Sequence, residues 1–207
     1  VATIECSTVG HTAAEDASRV RRRLDTGEQG AVEEAFWTGL DFEGESLGIQ
    51  ALSTSPDSVA VDPDADTIMG VVSALEDYAY RLQGYGYTAY IHAPVSVAAY
   101  AAAENLIVME GDPARGGRMV TPYGSVWVFG GGYPGTGTDG AAPPAGGAYL
   151  HITGQVTVWR AAEPFVAPVD QTTDKANNVR LLMAERGFAV AFDCFNGRAA
   201  FDPLGSS

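Results

Sequence analysis

Lysine is nearly absent from this chain, with Lys175 standing alone among the basic residues, and Lys and Arg together number 12 against 26 Asp and Glu. The resulting formal charge of -14 argues against tight nucleic-acid binding by phosphate neutralisation, since that affinity comes mainly from Lys and Arg. Cysteine is equally scarce. Cys6 and Cys194 lie far apart with no Cys or His at metal-ligand spacing, so neither a disulfide framework nor a zinc site is expected, and two reduced thiols suit an intracellular origin. No run approaches the roughly 18 consecutive apolar residues that cross a bilayer, and no charged-then-apolar export signal opens the chain. The first residue is Val1 rather than Met, so a processed or missing segment is expected to precede it.

What is present is the composition of a folded protein: 207 residues, 46% hydrophobic and 18% charged, enough for a real core in one or two domains. The most informative stretch runs from Thr12 to Trp37. Thr12 followed by Glu15 is a capping box, in which hydroxyl and carboxylate satisfy N–H groups left open by the first helical turn. Ala13, Ala17, Val20, Leu24, Ala31 and Ala35 recur at helical spacing as one narrow apolar stripe, while Glu15, Arg19 and Arg21 to Arg23 look outward. Unbroken, such a helix spans roughly 39 Å at 1.5 Å per residue, a beam rather than a helix wrapped by its own small domain. Gly27 and Gly30 each cost about 1 kcal/mol inside a helix, so a kink there is the competing expectation.

Downstream, a Gly-punctuated loop from Thr38 to Ile49 returns the chain towards the core through Leu47 and Ile49. A Ser, Pro and Asp-rich connection from Ser53 to Asp66 marks a first boundary. Ile68, Val72, Leu75, Ala79 and Leu82 predict a helix over 67–83, capped by Asp66 or Thr67 and stopped by Gly84. Thr88 to His92 reads as a strand, and Pro94 opens a helix through Ala103 that ends before Asn105. Strands are expected at 118–121 and 125–129 around Pro122-Tyr123-Gly124, then a hairpin of 148–152 and 155–160 around Thr153-Gly154. The glycines and prolines between Gly130 and Gly147 predict a long surface loop ordered mainly by neighbouring subunits. Pro164 and Pro168 mark a second boundary before the polar segment 170–178. Strands 179–185, 188–192 and 198–201 are expected to form one C-terminal sheet receiving the long helix, the last two joined across Asn196-Gly197.

Several short patterns resemble chemistry without its structural frame. Gly44-Glu45-Ser46-Leu47-Gly48 matches the nucleophile elbow, which needs a strand before the serine and a helix after it; here a helix end precedes and a loop follows. A Ser46 nucleophile would need His92 or His151 as base, yet both lie in predicted apolar strands, where a hydrogen-bonded structural His is the commoner case. Gly135 to Gly140 matches G-x-G-x-x-G, but Ala141-Ala142-Pro143-Pro144 follows instead of a helix that could point its N-terminus at a pyrophosphate. Asp62, Asp64 and Asp66 open like a calcium loop, with Thr67 where Gly is needed and Ser73 where Glu is needed. Arg21, Arg22 and Arg23 form a basic cluster that suits a solvated face or an acidic neighbour in an assembly. No catalytic, cofactor-binding or metal-binding residue and no cofactor is therefore assigned.

Three groups of segments together carry a family resemblance: 32–39 followed by Leu47-Gly48-Ile49; 90–94 with 117–128; and Asn177-Asn178 leading into 179–186. The chain resembles the major capsid proteins of tailed bacteriophages, the Hong Kong 97 fold, in its actinobacterial-phage form. The resemblance implies an α+β fold: a peripheral domain (1–60 and 160–207) holding the spine helix 12–37 and the sheet 179–201, with an inserted α/β axial domain (61–159). It implies a non-enzymatic virion protein, assembled in the host cytoplasm with copies of itself into hexamers and pentamers of an icosahedral shell around double-stranded DNA. Decoration, portal and scaffold proteins are implied partners, and a membrane is not. The family's N-terminal arm and extended loop precede its spine helix, and this chain starts where they should end. Two alternatives stand beside this reading: an encapsulin-type nanocompartment shell enclosing protein cargo, and a serine hydrolase using Ser46.

Overall fold

Thr12 and Glu15 close the expected capping box: the Thr12 N–H donates to Glu15 Oε2 at 2.7 Å and the Glu15 N–H donates to Thr12 Oγ1 at 3.3 Å. In this computed structural model, which describes residues 1–7, 12–41, 44–63, 66–112, 116–167, 173–174, 179–193 and 195–204, strand β1 (Ala2–Ser7) precedes the helix α1 (Ala13–Thr38). The helix passes Gly27 and Gly30 without a break. It stops at Gly39, whose N–H donates to Ala35 O at 2.8 Å and whose φ of +73° suits a residue without Cβ.

The chain divides into two compact units, residues 1–32 with 158–189 and residues 33–157 with 190–207. The smaller unit has two layers. β11 (Val179–Glu185) pairs antiparallel with β1, β9 (Phe165–Val166) and β10 (Thr173–Asp174). Period-two alternation sends Leu182 and Ala184, with Ala2 of β1, onto Val20 and Leu24 of α1. The buried stripe of the helix is thus shorter than expected, since Ala13 and Ala31 are exposed.

The larger unit is built on a seven-stranded sheet. Its strands are β2 (Ser58–Ala60), β3 (Tyr90–Pro94), β4 (Val108–Glu110), β5 (Arg118–Val120), β6 (Val126–Gly130), β7 (Ala148–Thr153) and β13 (Asn196–Phe201), in the order β2-β13-β7-β3-β6-β5-β4. β3 runs parallel to β6 and antiparallel to β7. Helix α2 (Ile68–Asp77) is capped by Thr67, whose hydroxyl accepts from the Gly70 N–H, and continues as one π turn, Tyr78–Leu82. Val71, Val72 and Leu75 of α2 share a core with Ile91, Leu150 and Ile152 of the sheet, and α3 (Ala98–Ala103) contributes Ala101. Among the described residues β8 (Val156–Arg160) and β12 (Phe188–Phe192) pair only with each other.

The predicted C-terminal sheet is corrected: its three strands exist but join three different sheets, β11 with β1, β12 with β8 and β13 with β7 and β2. Asn196-Gly197 is no turn, because it lies inside β13, opposite Thr153 and Ile152. Gly197 serves close approach instead, since a Cβ there would stand 2.5 Å from the Tyr78 ring. The expected hairpin around Thr153-Gly154 fails likewise, as β7 and β8 take different partners. Pro94 ends β3 rather than opening a helix, at a strand end where its missing N–H costs no ladder bond, and α3 starts only after the 3-10 turn Val95–Val97. Leu47 and Ile49 are exposed, and the chain re-enters the core at Ala51 and Leu52. Leu82 is also exposed, because the π turn rotates it off the stripe that Val71 helps to fill. Residues 33–60 and 190–207 group with the larger unit, where β13 pairs with β2 on one side and β7 on the other. Cys194, Asp64, Pro168 and the stretch 175–178 lie outside the described residues.

Candidate functional site

The end of α1 carries Phe36 and Trp37, and these aromatics rather than the alanine stripe fix it in the larger unit. Trp37 is fully buried, and its indole N–H donates to Thr136 O at 3.0 Å. The Gly132 N–H donates to the Glu33 carboxylate at 2.8 Å, and buried Tyr133 packs against Trp37 with ring centroids 5.0 Å apart. The Gly130–Gly147 loop is therefore ordered by its own unit, which overturns the expectation of order supplied by neighbours. Glycine allows this folding-back: at Gly135 a Cβ would strike Pro94, and at Gly137 the Tyr149 ring, at 2.8 and 2.7 Å. The fingerprint match at Gly135 to Gly140 is accordingly a packing pattern, with only the 3-10 turn Thr138–Gly140 and no helix to receive a phosphate.

Beneath the loop lies a buried polar cluster. His92 and His151 face each other across the β3–β7 pair. The His92 ring nitrogens meet Tyr133 Oη at 3.2 Å and Thr153 Oγ1 at 2.9 Å, and His151 Nδ1 meets Asn196 Oδ1 at 2.9 Å. Asn196 in turn donates to Leu52 O at 2.7 Å. Among the described residues His151 Nε2 has no hydrogen-bond partner, and it lies in the aromatic surroundings made by Trp37. Burial pushes His92 down to about 3, helped by the neighbouring His151. Burial likewise lowers His151 to about 4, against the raising effect of its bond to Asn196 and with Arg198 lowering it further. Burial, with Glu33 nearby, raises the Tyr133 phenol well above its usual range. Both imidazole rings are thus neutral structural groups at pH 7.

Ser46 is exposed, forms a bridge with Leu40, and accepts from the Gly48 N–H at 3.3 Å. Among the described residues no hydrogen bond joins it to either histidine, and the strand-to-helix frame of a nucleophile is missing. Asp62 and Asp66 flank undescribed positions, and Asp66 O accepts from the Asp202 N–H at 2.9 Å. Among the described residues no group of three His, Cys, Asp or Glu is placed to hold a metal, and no helix is long and apolar enough to cross a membrane.

In the smaller unit the chemistry is ionic. Asp16, fully buried on α1, accepts from Arg180 of β11 at 2.5 Å. Arg186 donates to Glu28 at 2.6 Å and lies 3.2 Å from Asp25, while Arg160 also pairs with Glu28. Glu28 holds the Arg186 guanidinium above its ordinary pKa. Helical spacing alone gives no sign that the acids at 16, 25 and 28 meet arginines more than a hundred residues later; the aromatic pair at 36 and 37 was the visible signal for the other anchor. Arg21, Arg22 and Arg23 are exposed, as expected.

No family model matches the chain, and no curated protein matches its sequence. In structure it is similar to the capsid of a native GTA (gene transfer agent) particle, with a TM-score of 0.55 at 16% identity, over 97% of this chain and 71% of that one. The chain has a mixed α+β fold similar to that of this capsid.

Proposed function

We propose that this chain is a structural subunit of a phage-like protein shell, a virion component that assembles with copies of itself. The observation carrying this reading is the likeness to a particle capsid over almost the whole chain. The long helix, running its 26 residues from one compact unit into the other, suits a load-bearing subunit. In the finer reading the subunit is of the Hong Kong 97 type and the actinobacterial-phage form. Residues 1–60 with 160–207 form the peripheral domain and 61–159 the axial one, and hexamers and pentamers close into an icosahedral shell around double-stranded DNA. A net charge of -14 suits a container that confines DNA without adsorbing it. Portal, scaffold and decoration proteins would be its remaining partners.

The hydrolase reading draws no support from the exposed, isolated Ser46. Electron microscopy of the protein isolated from its source tests the proposal. Closed particles holding DNA are expected; closed particles filled with protein cargo would favour a nanocompartment, and monomers alone would end the shell reading.

A further inference from the structure

Most of the described arginines of this acid-rich chain are committed. Arg81, Arg118, Arg160, Arg180 and Arg186 each pair with a carboxylate, Arg19 lies 4.0 Å from Asp16, and Arg198 donates to Ser58 O at 2.6 Å. Among the described residues Arg21, Arg22 and Arg23 are the exceptions: exposed on α1 between buried Val20 and Leu24, they form no ion pair. On the other layer of the same unit, the strand register turns Glu5, Leu181, Phe165 and Glu185 away from the helix. Glu5 and Glu185 are exposed and form no ion pair among the described residues, and their cross-strand partners Leu181 and Phe165 are 54% and 53% exposed. The two layers of one unit thus present opposite, unspent charges, and among the described residues only the sheet layer exposes large apolar side chains.

We propose that the Arg21–Arg23 turn of one copy docks on the Glu5–Glu185 sheet face of a second copy. Arginine suits this surface because its aliphatic stem covers Leu181 and its guanidinium stacks on Phe165 while reaching a carboxylate. The two patches differ, so the contact is heterologous: each copy keeps one of each free, and the contact propagates into a ring or a larger shell. Nucleic acid fits less well. Three arginines give a salt slope of only about -2.7, the net charge opposes approach, and the exposed Leu181 and Phe165 stay uncovered. The inference rests on the shell reading and adds the surfaces that would meet.

The test is a charge swap in the full chain. Wild type, Arg22→Glu/Arg23→Glu, Glu5→Arg/Glu185→Arg and the combined variant are compared by sedimentation in about 0.15 M salt, with thermal melting of each as a folding control. Each one-sided pair should lower the assembled fraction by about tenfold without shifting the melt, and the combined variant should restore it to within about twofold. One-sided variants that assemble like wild type would overturn the docking and leave the shell reading standing. A wild type that never assembles would remove both. Intact particles that lose nucleic acid only when Arg22 and Arg23 are changed would overturn the docking in favour of a phosphate contact. Should a one-sided pair melt early, Arg22→Gln/Arg23→Gln replaces it, and unchanged assembly there overturns the docking equally.

Discussion

Trp37 and His151 meet edge to face, their ring centroids 4.8 Å apart and their planes at 83°. This contact ties the last turn of the long helix to the middle of the seven-stranded sheet, and Tyr133 of the glycine-rich loop also packs on the indole. Replacing Trp37 by Ala removes a fully buried indole and should cost about 3–5 kcal/mol. Hydrogen exchange should show the 130–137 segment losing protection first, because Thr136 O and Tyr133 lose their partner together. Uniform loss across the sheet would contradict this local role.

The paired histidines predict a specific acid response. Both folded-state pKa values lie below the unfolded value, at about 3 and about 4, so the fold holds them neutral. Their contribution is fully present above about pH 6.5 and is lost as pH falls towards 4, since the unfolded chain takes up protons that the folded one refuses. Each tenfold weakening of proton affinity is worth about 1.4 kcal/mol, so the two rings together contribute several kcal/mol in order of magnitude. Chemical denaturation between pH 7 and 4.5 should reveal this slope, and His92→Gln/His151→Gln should flatten it; an equal slope in the variant would place the response elsewhere.

Asp16 and Arg180 form a buried ion pair whose two ends come from distant parts of the chain. Asp16→Ala strands Arg180 without its carboxylate and should destabilise by about 3–5 kcal/mol, whereas Asp16→Leu/Arg180→Met should cost far less. Urea melts of the three proteins check this, and equal losses in both variants would show that packing, not charge, sets the cost.

Much of this architecture could be read from residues alone where the signal is local. Thr12 and Glu15 mark the start of α1, Gly39 its stop, and Ile68 to Ala79 declare α2 through spacing. Partnership is what stayed hidden. The strands at 179–185, 188–192 and 196–201 follow each other closely in sequence, yet each pairs with a strand from another part of the chain. An Asn-Gly step signals a turn only when space allows a chain reversal, and at 196–197 the Tyr78 ring and β7 impose an extended strand instead. The loop 130–147 misled for a related reason: its glycines permit close packing as readily as mobility, and only Trp37 and Tyr133 decide between them. The unpaired arginines were visible from the start, but their significance depended on learning that the other described arginines are taken.

Ser46→Ala should leave stability unchanged within about 0.5 kcal/mol, because the hydroxyl is exposed and accepts a single loop hydrogen bond. A fluorophosphonate probe that labels the wild type at Ser46 and not the variant would revive the hydrolase reading.

A shell subunit must occur in nature as part of something far larger than itself, so the mass of the native protein tests that assignment most directly. Multi-angle light scattering on material from its source should show particles of megadalton order, tens to hundreds of times the 21.6 kDa chain. A single species at 21.6 kDa across concentration and salt would contradict it.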